Sequence, residues 1–207
     1  MDFRCISFHQ ANPDLELCRL AAGLGFNHVE LQTENPQFRR ELGLQPDEPI
    51  NQADGLRETR RRLFAEGKLQ ALRGLGYRLV LWVREIEDHN PDRDGPLELS
   101  NDRVFEALAD RYHALLTEVF PEADTLALTV AETSTWIDDP AMIDRICRTV
   151  HRVCKQHGRR LIVRSFAYQA QLAAMAQVLR ELPDDILLMI KYGPRDWILR
   201  GIRDPLI

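Results

Sequence analysis

Three segments of this chain repeat one local pattern: LGFNHVELQ from Leu24, LGYRLVLWV from Leu75 and HGRRLIVRS from His157 each set a glycine two or three residues ahead of an apolar run. Glycine most readily adopts the left-handed backbone that closes a helix, so each segment reads as helix, stop, strand. A chain that keeps repeating this unit has few folds open to it. Strands separated by amphipathic helices pair in parallel through right-handed crossovers, and the helices cover the sheet.

The expected strands are Arg4 to Phe8, His28 to Gln32, Arg78 to Val83, Thr125 to Val130, Leu161 to Arg164 and Ile186 to Ile190, alternating with helices. Asn12-Pro13 and Asp139-Pro140 read as N-caps followed by a first-turn proline. Ile143, Ile146, Cys147, Val150, Val153 and Cys154 form one apolar stripe, and Val104, Leu108, Leu115 and Val119 form another. The polar stretch from Glu34 to Gly67 is a loop and helix insertion, since Pro36, Pro46 and Pro49 exclude one continuous helix.

An open doubly wound sheet and a (β/α)8 barrel both fit this order. The first strand leads into His9, Gln10 and Ala11, without the glycine-rich turn that marks nucleotide binding in the open sheet. An α/β fold of the (β/α)8 TIM-barrel type is therefore expected. A complete barrel takes about 250 residues, and this chain has 207. The expectation is one partial barrel domain over residues 1–207 with about six strand-helix units. Open sheet edges would then invite self-association.

The net charge of −5 provides no general pull toward nucleic acid or an anionic membrane. The basic run RETRRR from Arg57 to Arg62 reads as a solvated helix face. No stretch reaches transmembrane length and MDFRCISFHQ lacks the pattern of a secretion signal, so a cytoplasmic location is expected. Cys5, Cys18, Cys147 and Cys154 show no paired spacing and read as free thiols.

In a barrel the C-terminal strand ends share one rim, where residues distant in sequence meet. These ends offer His9, Gln10, Glu30, Gln32, Arg84, Glu85, Glu87, Glu132, Thr133, Arg164, Lys191 and Asp196. The densest is DILLMIKYGPRDW from Asp185 to Trp197, where a five-residue apolar run, read as a strand covered on both faces, leads into Lys191, Gly193-Pro194 and Asp196. A cation at that point needs an acid, a polar pocket or an anionic ligand. Glu132 follows Leu126, Leu128 and Val130 at alternating positions, so desolvation above an apolar layer would raise its pKa toward that of a general acid. Trp82, Trp136 and Trp197 fall near the rim, where indole faces can stack on sugars.

LIVRSFAYQ, followed about twenty residues on by MIKYGPRDW and then DPL, resembles the fifth and sixth barrel units of the α-glucuronidase glycoside hydrolases. The resemblance covers Leu161 to Ile207. It implies metal-independent, inverting hydrolysis of an α-linked glucuronic acid, or its 4-O-methyl ether, from a short xylo-oligosaccharide, with no cofactor. Arg164 and Lys191 would then bind the uronate carboxylate, Asp196 would help activate water and Glu132 would protonate the leaving oxygen. Trp82, Arg84, Glu85 and Trp197 complete the expected substrate-binding set. The fourth-strand stretch LALTVAET lacks a lysine that the family carries there, and the family's second base carboxylate belongs to a seventh strand, so a truncated and inactive form is also anticipated.

Two other classes fit the sequence. AAGLGFNHVEL is similar to the second unit of xylose-isomerase-like barrels, in which carboxylates and histidines hold a divalent metal. A non-catalytic barrel fragment that binds sugar or a partner chain is the other.

Overall fold

Gly25, Gly76 and Gly158 all adopt the left-handed conformation, with φ of +85°, +83° and +64°. After each of them the next backbone N–H reaches back to the last helical turn, Phe26 to Ala21 at 3.0 Å, Tyr77 to Leu72 at 3.0 Å and Arg159 to Cys154 at 2.8 Å. These bonds satisfy carbonyls the helix leaves open and aim the chain into the strand that follows. The repeated pattern is therefore three copies of one helix-ending device.

The computed structural model describes residues 3–8, 12–31, 52–84, 89–130, 137–164 and 171–189. In chain order the elements are β1 (Cys5–Ser7), α1 (Leu15–Gly23), β2 (His28–Leu31), α2 (Gln52–Ala65), α3 (Lys68–Gly74), β3 (Arg78–Arg84) and α4 (Pro91–Asp94). There follow α5 (Asp102–Ala114), which runs on as a π-helical turn over Leu115–Val119, then β4 (Thr125–Thr129), α6 (Pro140–Gln156), β5 (Arg160–Arg164), α7 (Leu172–Glu181) and β6 (Leu187–Met189). The six strands form one sheet whose hydrogen-bonded order follows the chain from β1 to β6. This is the strand order of a (β/α)8 barrel, with six of its units present.

The chain divides into two compact units, residues 1–83 with 114–126 and residues 84–113 with 127–207. In the first, β2 pairs in parallel with β1 and β3, setting Ser7 opposite Glu30 and Glu30 opposite Val80. Val29, Leu31, Leu79 and Leu81 form one fully buried face of these strands. Tyr77 is buried and its hydroxyl donates to the Cys18 carbonyl at 2.7 Å, tying the start of β3 to α1. Asp124 fixes the start of β4 by accepting from the Leu79 amide at 2.8 Å and from Arg73 at 2.6 Å.

In the second unit α6 packs on β5 and on α7. Asp139 caps α6 with Pro140 in the first turn, and Ile143, Ile146, Cys147, Val150, Val153 and Cys154 are buried as their spacing requires. Burial pushes the Cys154 thiol up to about 12, far from the thiolate that reacts. The cysteines are free; Cys18, Cys147 and Cys154 are buried, while Cys5 is partly exposed.

Four local expectations are corrected. The cap of α1 is Asp14, which accepts from the Glu16 and Leu17 amides, rather than Asn12. The β6 run is not covered on both faces: Ile186 is buried, but Leu187 and Leu188 are 37% and 44% exposed. β6 stands last in the sheet order, where no further strand flanks it among the described residues. β4 stops at Thr129, one residue short of Val130. Finally, the basic run on α2 is only partly solvated, since Arg60 grips Glu122 through two 2.8 Å hydrogen bonds.

Candidate functional site

In a barrel the crossover helices cover one face of the sheet, so residues of the other parity at the strand ends turn toward the axis. In the first unit the wholly apolar face of β2 and β3 is the helix-covered one. Ser7, Glu30, Val80 and Trp82 then share the axial face by register and alternation. The Ser7 hydroxyl donates to Glu30 Oε1 at 2.8 Å, and Glu30 is only 4% exposed. A buried carboxylate this close to a strand end is a group that can accept or orient a polar ligand. Trp82 is 9% exposed and follows Val80, the residue opposite Glu30, by two positions on the same face.

Below that carboxylate on the same face lies His28, also buried, whose Nδ1 donates to the Asn27 side-chain oxygen at 2.5 Å and whose ring meets Phe3 at 4.0 Å. Asn27 also receives the Arg4 amide at 3.0 Å. The start of β2 is thus held by a polar network at the end away from the rim.

In the second unit β5 ends in Arg164, half-buried and opposite Met189 of β6 in register. Arg164 shares its face with Ile162, as alternation requires. Thr129 closes β4 fully buried. Gln171, at the entry to α7, is buried and donates to the Ile137 carbonyl at 2.8 Å, which joins the segment before α6 to the segment before α7.

Of the residues expected from sequence, Arg164 stands at a strand end, Trp82 lies within β3, and the Arg84 backbone closes β3. Glu132, Asp196, Lys191, Glu85 and Trp197 lie outside the described residues, as do His9, Gln10, Gln32, Glu87, Thr133 and Trp136. Ser7 with Glu30, and Arg164, are the expected or neighbouring rim groups that the structure describes.

One charged cluster was missed by the sequence reading. On the segment after β3, Asp94 accepts from Arg93 through two hydrogen bonds of 2.7 and 2.8 Å, from Arg111 of α5 at 3.1 Å and from the Asn90 amide at 3.1 Å. His89 Nδ1 stands 3.4 Å from the same carboxylate, and both side chains are buried. The Arg93 hydrogen bonds, outweighing burial, hold the Asp94 carboxyl well below the usual carboxylate range. Burial lowers the His89 pKa, and Arg111 and Arg93 add to this against the pull of Asp94, which favours the neutral imidazole. A signal for the cluster was present in Asn90-Pro91, where Asn90 caps the short α4 by accepting from the Asp92 and Arg93 amides. Its partner Arg111 lies 17 residues from Asp94, a distance no local motif spans.

Among the described residues, no group of three or more histidine, cysteine or acidic side chains is gathered to hold a metal ion. No described helix is long and apolar enough to cross a membrane.

No family model and no curated protein matches this sequence. Solved structures do share its fold. An oxaloacetate acetylhydrolase aligns at 15% identity with a TM-score of 0.52, over 92% of this chain and 58% of that one. A 2,3-dimethylmalate lyase, a member of the PEP mutase/isocitrate lyase superfamily, aligns at 11% identity and 0.51, over 94% and 58%. Dispersin B aligns at 8% identity and 0.51, over 92% and 64%. The likeness identifies a TIM-barrel fold, and this chain spans 58 to 64% of the length of these three proteins.

Proposed function

We propose that this chain is part of a carbohydrate-active barrel that hydrolyses an α-linked uronic acid from short xylo-oligosaccharides, as an inverting α-glucuronidase-like enzyme. The observation that carries the reading is Arg164 at the end of β5, in register with Met189 of β6. Lys191 follows Met189 by two residues in the MIKYGPRDW motif. In this reading Lys191 shares the rim with Arg164, and an arginine with a lysine is a pair suited to a sugar carboxylate.

In this reading the Arg164 guanidinium grips the uronate and Lys191 adds a second positive charge. Glu132 protonates the departing glycosidic oxygen, while Asp196 helps deprotonate the water that attacks the anomeric carbon from the opposite face. Inversion requires about 6.5 to 9.5 Å between the acid and the base, which leaves room for that water. Arg84, Glu85, Trp82 and Trp197 line the sugar site. Both carboxylates and both cations act without metal.

The test is release of free uronic acid from aldouronic xylo-oligosaccharides in EDTA by the full product of the coding sequence. Asp196→Asn or Glu132→Gln should lower kcat by about 10²–10⁴, and Arg164→Ala should raise KM chiefly for the charged substrate. Folded protein that releases nothing, or release abolished by EDTA, would overturn the assignment, the second outcome favouring a metal-dependent hydrolysis instead.

A further inference from the structure

Residues 89–98, in the connection from β3 to α5, contain one buried residue, Asp94, in a run of exposed and half-buried positions. The backbone bonds of this stretch close on themselves, with the Asp94 and Gly95 amides donating to the Asn90 and Pro91 carbonyls at 2.7 and 2.9 Å. Its tie to α5 is the Asp94 carboxylate, which accepts from Arg111 at 3.1 Å. Farther on, Arg145 of α6 holds the Leu99 carbonyl, so the chain is fastened again at residue 99. A segment with one buried anchor between two fixed points can open while the rest of its unit stays folded.

Against that anchor lies an imidazole with no bond to make. Asp94 Oδ1 accepts from Arg93 Nε, whereas Oδ2 accepts from Arg93, Arg111 and the Asn90 amide together. A carboxylate oxygen offers about two lone pairs, so Oδ2 is already full. His89 Nδ1 approaches that same oxygen, at 3.4 Å, with a side chain only 6% exposed. Neither of its ring nitrogens has a hydrogen-bond partner among the described residues. The charged groups that face the ring are this carboxylate, the Arg93 guanidinium on the segment and the Arg111 guanidinium on α5. A proton added to His89 therefore puts a third cation into a buried place, opposite an oxygen with no lone pair to spare.

We propose that His89 is a proton-operated release for residues 89–98: in mild acid the charged imidazole moves out to water and carries the Asp94 anchor off Arg111, while both ends of the segment stay in place. In a barrel the loops that follow the strands form the face where ligands bind, so the release reshapes part of that face in acid.

The test is hydrogen exchange of the whole 207-residue chain, read by mass spectrometry on peptides covering residues 92–98 and corrected for the intrinsic pH dependence of exchange. Because opening takes up one proton, the opening constant should rise by up to about tenfold per pH unit below about pH 6.5. Peptides from β4, β5 and α6 should keep their protection over the same range. His89→Gln should hold the constant level. Arg93→Gln takes two donors off Asp94 and gives an imidazolium room on the carboxylate, so it should move the opening to lower pH, and it reads the proposal independently where His89→Gln does not fold. A constant that stays level or falls in acid, as it would if Glu85, Glu87 or Asp88 paired with the charged ring, overturns the proposal. Acid opening that persists in His89→Gln overturns it too, as does exchange that rises equally in β4, β5 and α6, which is global unfolding. Uronic acid release does not enter the readout, so failure of the glycosidase reading leaves this test intact.

Discussion

Asp94 gathers two guanidiniums, an imidazole and a backbone amide onto one buried carboxylate. Taking away the carboxylate would remove the acceptor that Arg111 and Arg93 share beside a buried histidine, and breaking such a group from one side costs more than forming it returns. Hydrogen bonds to charged groups are worth about 1.5–3 kcal/mol, and Arg93 is more than half exposed, so solvent already screens its share. Asp94→Ala is therefore expected to cost about 2–3 kcal/mol, read as a lower urea midpoint with an unchanged slope. Asp94→Asn should keep part of the network through its amide oxygen and lose less. An equal loss from both would mean that the charge, not the acceptor geometry, holds this segment. Arg61, with an exposed side chain, and Glu58 form a contrasting pair at 2.5 Å on α2, where removal should change stability little.

At the scale of elements, much of the fold was legible before any coordinates, and the reasons are local. Gly25, Gly76 and Gly158 announce helix ends because almost no other residue accepts their backbone. Asp139-Pro140 announces the start of α6 because cap and proline act within three residues. Asn12-Pro13 looks the same in sequence, yet Asp14 caps α1 and the Asn12 side chain instead meets Lys68 of α3. Two residues compete for one cap there, and a contact 56 positions away assigns Asn12 elsewhere. The exposure of Leu187 and Leu188 was hidden for a similar reason, since an apolar run shows that a strand forms but not what flanks it. The site divides along the same line: Arg164 follows from its strand's length, whereas the Asp94 cluster depends on Arg111 of another helix. The cap assignment has a direct check. Asp14→Ala should cost about 1 kcal/mol and Asn12→Ala only a few tenths, compared by urea denaturation of the two variants; the reverse order would return the cap to Asn12.

Over the whole molecule these local charges combine into a dependence of stability on pH. Asp94 and Glu122 have carboxyl groups held below their ordinary range, each chiefly by an arginine hydrogen bond, from Arg93 and Arg60 respectively. His89 is held below its ordinary range by burial. A group whose pKa is lower in the folded state is protonated more readily after unfolding, so the stability it contributes is complete above its unfolded pKa and lost as the pH falls. For His89 that loss begins near about pH 6.5, and for the carboxylates near about pH 4 to 5. The denaturant midpoint should therefore decline toward acid in two stages. His89→Gln should flatten the first stage, because no imidazole remains to be protonated on unfolding. Asp94→Asn should lower the midpoint at neutral pH yet make the second stage shallower, because one of the carboxylates driving it has gone. A midpoint that rises between pH 7 and pH 5 would contradict the burial of a neutral His89. A second stage unchanged by Asp94→Asn would move the acid response to the other carboxylates held low, Glu122 by Arg60, Glu58 by Arg61 and Asp185 by Lys155, and an Arg60→Gln variant would then be expected to weaken the share of Glu122.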